Sequence, residues 1–429
     1  MGTLAPPPLN ALEKGRLKLL PFVLALGCLV ALTACASGGA QPGSPTVSPG
    51  LGGPNFDAAL AMRHVQALAD GIGPRPAASP TETKTEQYIL AALKSYGYRI
   101  DEQVFQYQSV SDDGTLLQVL EPDNRVLNAR LLIGSIPGQA EAQVIAAGSG
   151  RPEEISFRLA GNIALVQRGQ LDFSEKVANA VQAGAIGVII YNNQPGPFVG
   201  NLQSGITVPV VSISQEDGTY LLSRLTAGSV KVRVEGRAQE VVRTSHNAIA
   251  RPAFGVCDVL VSAHYDSAPN APGADDNASG VATALELARS LAVARSFDDI
   301  CFAFFGASEA GFLGSQAFLK QVTSSEKASF KAVIDLDTVG VGDSWLLAGD
   351  SGLARSARDE TDLTSALNEA PAGDAASFQA VGIRVLQISA VEDPRLHTDS
   401  DVSVFVRPLQ LEQAAKLTTA AIRATLGQP

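Results

Sequence analysis

Five residues in this chain, His264, Asp276, Glu309, Asp337 and His397, are of types that bind transition metals, and they stand at or near the ends of apolar runs. Two imidazoles and three carboxylates suit two zinc ions, with one carboxylate shared between them. Each residue alone carries little weight, since an aspartate at a helix start usually caps it and a loop histidine is usually solvated. Their joint context carries more. The chain has only four histidines, and two lie in the motifs His264-Tyr265-Asp266-Ser267 and His397-Thr398-Asp399. Asp266, two residues beyond His264, is placed to accept the other ring N–H and fix which nitrogen faces a metal.

Positioning such a set requires elements that end together. His264 follows Val259-Leu260-Val261-Ser262-Ala263, Glu309 follows the run from Cys301 to Ala307, and Asp337 follows Val333-Ile334-Asp335-Leu336. Asp276 opens a helix expected over 279–294, a second helix is expected over 309–320, and His397 stands in a loop after a strand ending near Ile388. Continuous apolar runs alternating with helices predict an α/β domain with a mostly parallel sheet covered on both faces. In such sheets ligands gather at the carboxyl ends of strands. Upstream, two amphipathic helices flank the joint Gly71-Ile72-Gly73-Pro74-Arg75-Pro76. From about Leu116 the pattern changes to short β-like runs (127–133, 143–147, 163–166) with one helical segment over 174–183, a separate small unit.

At 429 residues the chain should hold two folded units and a non-globular end. The formal net charge of −11 leaves no basic stripe, which argues against a nucleic-acid partner. Lys14, Arg16 and Lys18 precede an apolar stretch from Leu19 to Leu32, shorter than a bilayer span and patterned as a signal peptide. The sequence Leu32-Thr33-Ala34-Cys35 resembles a bacterial lipobox, so residues 1–34 are expected to be removed and Cys35 lipidated, with an ordinary signal peptide as the alternative. Gly, Pro and Ser dominate 35–54, a flexible tether. The chain would then be extracytoplasmic, held to a bacterial membrane, at the periplasm or cell surface, by its lipid alone. Cys257 and Cys301 remain, at similar heights near two strand starts. A disulfide and two buried thiols are both compatible with that placement.

Two resemblances follow from these motifs. The middle unit, 114–240, resembles the protease-associated (PA) domain through Ile163 to Gly169, then Phe173 and Lys176, Ala183 to Asn192, and Val208 to Val211. Such inserts imply no chemistry of their own, so Arg168 and Lys176 are read as surface or structural residues. The stretches His264 to Ser267, Pro272 to Gly280, Glu309 to Ser315, Leu336 to Gly340, and His397-Thr398 resemble the di-zinc aminopeptidase family. That resemblance implies a three-layer α/β/α zinc-exopeptidase domain built from 55–113 and 241–429, with the PA unit inserted. It implies Asp276 as the bridge between two Zn2+, His264 and Asp337 on one, Glu309 and His397 on the other, and a cis peptide at Asp276-Asn277.

The pattern breaks at one position. Where the family reads Glu-Glu, this chain reads Ser308-Glu309, and the offsets of Gly311, Gly314 and Ser315 keep Glu309 as ligand and Ser308 in the place of the general base. A serine hydroxyl does not take a proton at neutral pH as a carboxylate does. The family's Ser-Asp-His is likewise Gly373-Asp374-Ala375 here. The expectation is a zinc exopeptidase acting on the N-termini of peptides, slowed by Ser308, with Asp399 the nearest substitute acid in sequence. The rival reading is a metal-retaining, catalytically silent protein that binds peptides or a partner. Acyl transfer is a weaker third reading, since it too depends on the missing acid.

Overall fold

The computed structural model describes residues 56–427 apart from 172, 201, 203, 204, 255, 295–298, 369 and 392. The signal-peptide, lipidation and tether expectations, Cys35 included, lie outside the described residues. Helix α1 (Ala58–Gln66) runs into a π-helical turn over Ala67–Ile72, and α2 (Pro80–Ser95) follows the Gly-Pro joint. Ser79 caps α2 by accepting from the Glu82 amide at 3.1 Å, while the Glu82 carboxylate returns to the Ala78 amide at 2.7 Å. Both helices then lead into β1 (Arg99–Asp112).

The insert comprises β2 (Leu116–Glu121), β3 (Arg125–Leu127), β4 (Ala129–Leu131), β5 (Gly138–Ala146), β6 (Ile163–Gln167), α3 (Phe173–Gln182), β7 (Gly187–Tyr191), β8 (Val210–Ile213), α4 (Gln215–Ala227) and β9 (Lys231–Gly236). Its eight strands form one mixed sheet, ordered β3-β2-β9-β5-β6-β7-β8-β4. Two details differ from expectation. The run over 127–133 is split at Asn128, because β3 pairs with β2 whereas β4 pairs with β8. Helix α4 was not anticipated, although Ser214 caps it by accepting from the Asp217 amide at 3.0 Å, a signal present in the sequence.

The main domain resumes with β10 (Ala238–Arg251), β11 (Val259–His264), α5 (Gly280–Ala294), β12 (Ile300–Phe305), α6 (Leu313–Gln321), α7 (Ser324–Ser329), β13 (Ala332–Leu336), β14 (Trp345–Gly349), α8 (Ser351–Thr361), β15 (Ser365–Asn368), α9 (Gly373–Gln379), β16 (Val385–Ala390) and α10 (Pro408–Leu426). Its sheet runs β1-β10-β12-β11-β13-β16-β14-β15, with β12, β11, β13 and β16 parallel at the centre. Antiparallel pairs join β10 to β12 and β14 to β16. Strands β11, β12 and β13 are buried along their whole length, which explains their unbroken apolar sequence. Alternate residues serve opposite faces: Val261, Phe302 and Ile334 pack with α1, α2, α5, α8 and α10, while Leu260, Ala303 and Val333 pack with α6 and α9. The three-layer arrangement is therefore present.

Strands β1 and β10 form a long antiparallel ribbon from Arg99↔Arg251 to Asp112↔Ala238, and the insert grows from its far end. Cys257 and Cys301 form a disulfide with Cα atoms 5.4 Å apart, joining the segment before β11 to β12. Closing a loop of 44 residues restricts the unfolded chain, so replacing both cysteines by alanine is expected to lower stability by about 2–4 kcal/mol. Denaturant unfolding of the double mutant checks this, with little change anticipated at the distant carboxyl ends of the strands.

Candidate metal centre

The carboxyl ends of β11, β12 and β13 release His264, the turn that holds Glu309, and Asp337 into one cleft, and loops bring Asp276 and His397 to it. The structure places all five candidates together as two overlapping groups, His264–Asp276–Asp337 and Asp276–Glu309–His397, each with ligand atoms within 4.8 Å of one another. Asp276 belongs to both. Its Oδ1 lies 3.2 Å from His264 Nε2 and its Oδ2 lies 2.9 Å from His397 Nε2. His264 Nε2 is 3.5 Å from Asp337 Oδ1, and His397 Nε2 is 3.4 Å from Glu309 Oε1.

These spacings fit the edges of a zinc coordination shell. Bonds of about 2.0–2.1 Å in a tetrahedron separate the ligand atoms by roughly 3.3–3.4 Å. Asp337 Oδ1 is buried and has no hydrogen-bond partner, an acceptor waiting for a cation. Electrostatics agree. Glu309, then the pull of Asp276, holds His397 well above the ordinary histidine range; burial opposes the charge on His264, but Asp266, Asp276 and Asp337 outweigh it and raise that ring as well. A potential that negative attracts protons or metal ions to the same positions.

Local folding sets this geometry. Glu309 does not lie on a helix, contrary to the expected helix over 309–320. The chain turns first, with the Gly311 and Phe312 amides both donating to the Ser308 carbonyl, and α6 starts only after Phe312 at φ 59°. Ala307, Thr338 and His397 also have positive φ, at 52°, 55° and 60°. Such strained backbone clusters where side chains are held for function. The Asp276-Asn277 peptide is cis, and Asn277 ties the start of α5 to the end of β13 through Leu336, Gly280 and Thr338. Gly280 permits that approach, because a Cβ there would stand 2.5 Å from the Leu336 carbonyl and 2.4 Å from Asn277 Oδ1.

Asp266 needs a correction of detail. The atom nearest His264 Nδ1 is the Asp266 backbone carbonyl, at 3.1 Å, with the carboxylate 3.7 Å away. That carboxylate instead accepts from the Ser308 and Glu309 amides, both at 3.0 Å, so it holds the turn carrying Glu309. Asp399 is exposed, accepts from the Ser400 hydroxyl at 3.3 Å, and is not among the residues lining the cavity over the five candidates.

Other residues do positioning work that the sequence did not disclose. Arg75, fully buried, donates to the carbonyls of Tyr265, Leu68, Gly73, Pro272 and Gly273, and so fixes the loops beside His264 and Asp276. Burial brings its pKa down to about 10, while Asp266, Asp401, Asp276 and Glu309 oppose the shift. Asp401 accepts from the Asp275 and Asp276 amides at 2.7 and 3.1 Å. Asp374 accepts from Ser308 Oγ at 2.6 Å, its other oxygen is buried without a partner, and burial raises its pKa. No periodicity marks these three, because most of their partners are backbone groups far along the chain or, for Asp374, a side chain 66 residues away.

A cavity of about 550 Å³ opens over the five residues and Ser308. Its walls include Tyr107 to Val110 of β1 and, from the insert, Ile133, Phe173, Val199 and Leu202. The insert supplies no candidate ligand but does shape the space above them.

Known proteins carry the same architecture. Residues 256–422 match the model of peptidase family M28, and residues 134–221 match that of the PA domain. Aminopeptidase YwaD of Bacillus subtilis is 31% identical over 397 residues, covering 86% of this chain and 84% of that protein. A solved structure of BSAP, a zinc aminopeptidase from Bacillus subtilis, superposes with a TM-score of 0.70 at 28% identity, over 86% of this chain and 95% of that one. The aminopeptidase from Aneurinibacillus sp. strain AM-1 gives 0.62 at 29% identity, over 86% and 94%. The chain belongs to peptidase family M28 and carries a PA domain between two parts of its peptidase fold.

Proposed function

We propose that this protein is a zinc aminopeptidase that binds two zinc ions and releases N-terminal residues from peptides. The observation that carries the reading is the pair of His–carboxylate groups sharing Asp276 at the floor of the cavity. His264 and Asp337 would hold one ion, Glu309 and His397 the other, and Asp276 both. When bound, the ions supply Lewis acidity toward water and the scissile carbonyl. The cavity, within the roughly 300–1,000 Å³ typical of small-ligand sites, accepts the end of a peptide between β1, the insert and the metal-binding loops.

Acid–base chemistry is where this chain departs from its family's pattern. Ser308 stands where the resemblance implies a glutamate, and its hydroxyl is committed as a donor to Asp374. Asp374 is the carboxylate next in line, one side chain further from the cleft. General-base catalysis is worth about 10²- to 10⁴-fold, so we read the enzyme as slow. A second reading is favoured by the same Ser308: a metal-retaining protein that captures peptide ends without cleaving them. The localisation we propose is extracytoplasmic, with Cys35 as lipid anchor.

Zinc content of the purified protein and hydrolysis of aminoacyl anilides separate these readings. About two zinc ions per chain with a measurable, chelator-sensitive rate is the expected result. Zinc without turnover, but with peptide binding, supports the silent protein, and correctly folded material that takes up no zinc overturns both.

A further inference from the structure

The guanidinium of Arg168, in the insert, reaches the loop that carries His397. Its Nη2 donates to the His397 carbonyl at 2.8 Å, across 229 residues of chain. The arginine is itself held. Nη1 donates to Asn192 Oδ1 at 3.2 Å, the cationic carbon lies 5.0 Å from the centre of the Phe198 ring, and the Arg168 amide donates to the Tyr191 carbonyl at 2.9 Å. Asn192 is buried and anchored to the Gly196 carbonyl at 3.0 Å. One residue on, the Gly169 carbonyl accepts from Lys176 Nζ, whose side chain is wholly buried. The fork is thus presented by a rigid corner of the insert rather than by a free surface arginine.

What it grips carries the most exposed side chain of the five candidate ligands. The His397 side chain is 53% exposed, whereas those of Asp276 and Glu309 are 7% and 12% exposed. His397 is also in the left-handed region, at φ 60°, which residues with a Cβ adopt uncommonly. The loop is braced locally: the Thr398 amide and hydroxyl both donate to the Arg395 carbonyl. The Arg168 bond acts on the His397 peptide itself.

We infer that Arg168 is a positioning residue for the Glu309–His397 zinc site, making the inserted domain part of that site's affinity. The inference rests on reading Glu309 and His397 as zinc ligands. A charged donor on the carbonyl fixes the peptide orientation from which the imidazole projects, so loss of the donor should let the loop relax and the ring leave the cleft. The Glu309–His397 ion would then be held more weakly than the ion of the His264–Asp337 side.

Competition of the full-length holoprotein against a chromogenic zinc chelator tests this, with wild type, Arg168→Met and Arg168→Lys compared. For Arg168→Met one zinc per chain is expected to bind about 10- to 100-fold more weakly, the range seen when groups supporting a metal ligand are removed, and the other to remain as in wild type. Arg168→Lys, which keeps a cationic donor, should recover part of the loss. Peptide-anilide kinetics give an independent readout: kcat of Arg168→Met should fall at limiting zinc and return with excess zinc, with KM little changed. Two ions bound by Arg168→Met with wild-type affinity overturn the proposal, even if its thermal stability drops, since that outcome marks a merely structural arginine. A wild-type protein that takes up no zinc overturns the parent reading and this one with it, so the two failures are distinguishable.

Discussion

Substituting glutamate for Ser308 is expected to raise kcat on an aminoacyl anilide by about 10²-fold or more, with zinc content unchanged. Ser308 lines the cavity beside Glu309 and Asp337, so a longer side chain from this backbone position enters the space where attacking water and substrate must meet. Its amide is already fixed by the Asp266 carboxylate at 3.0 Å, which gives the new carboxylate an ordered base. One neighbour opposes the gain. Asp374 stands 2.6 Å from Ser308 Oγ, and two carboxylates there cannot both ionise cheaply. Burial already holds the pKa of Asp374 above the ordinary carboxylate range, so a second carboxylate beside it must compete with Asp374 for the same proton. Adding Asp374→Asn removes that competition, and the double mutant should be at least as fast as Ser308→Glu alone. Steady-state kinetics at saturating zinc, with metal content measured on the same samples, decide the matter. No gain in either variant, with two ions bound, would show that the base position does not limit turnover.

The second large effect is expected at Asp276. Its two oxygens face His264 and His397 separately, so Asp276→Ala removes a ligand from both groups at once and leaves the two imidazoles without the carboxylate between them. Asp337→Ala and Glu309→Ala each disturb one group only. Zinc binding to Asp276→Ala should therefore weaken by more than about 10²-fold at both positions, since loss of a ligand exceeds the effect of losing a supporting group. The one-sided variants should each retain about one ion. Inductively coupled plasma measurement after dialysis orders the three mutants. An Asp276→Ala protein that still holds two ions would remove Asp276 from the centre of the site.

The site's supporting structure explains why it tolerates so much buried negative charge. Arg75 is the cation that faces it from behind, and its five carbonyl partners lie on the joint after α1, at the end of β11 and in the loop preceding Asp276. Bound ions would supply the remaining positive charge from the front. Asp275 and Asp335, both raised well above the carboxylate range chiefly by burial, are held near the site as hydrogen-bonding groups: Asp275 accepts from the Gly340 amide, and Asp335 accepts from Ser262.

By itself the sequence determined the class of fold and the identities of the five converging side chains. Runs such as Ile300–Phe305 can be buried on both faces only in a covered sheet, and a residue ending such a run must emerge at the sheet's carboxyl edge, whichever strands turn out to be neighbours. The change of pattern near Leu116 to short strands broken by Gly and Pro likewise marked a second unit. Tertiary structure alone decided which groups hold those side chains in place. Asp266 looked like a partner for His264 two residues away, yet its carboxylate bonds amides more than forty residues ahead. Arg75, Asp401 and Arg168 gave no local sign of their roles, and Asp374, noticed only within the altered Gly373-Asp374-Ala375 motif, gave none of its bond to Ser308; each acts mainly on groups that the fold brings near. Periodicity records what is buried against a neighbouring layer. A hydrogen bond across 229 residues depends on where two loops meet, and that is fixed only when the long β1–β10 ribbon sets the insert above the cleft.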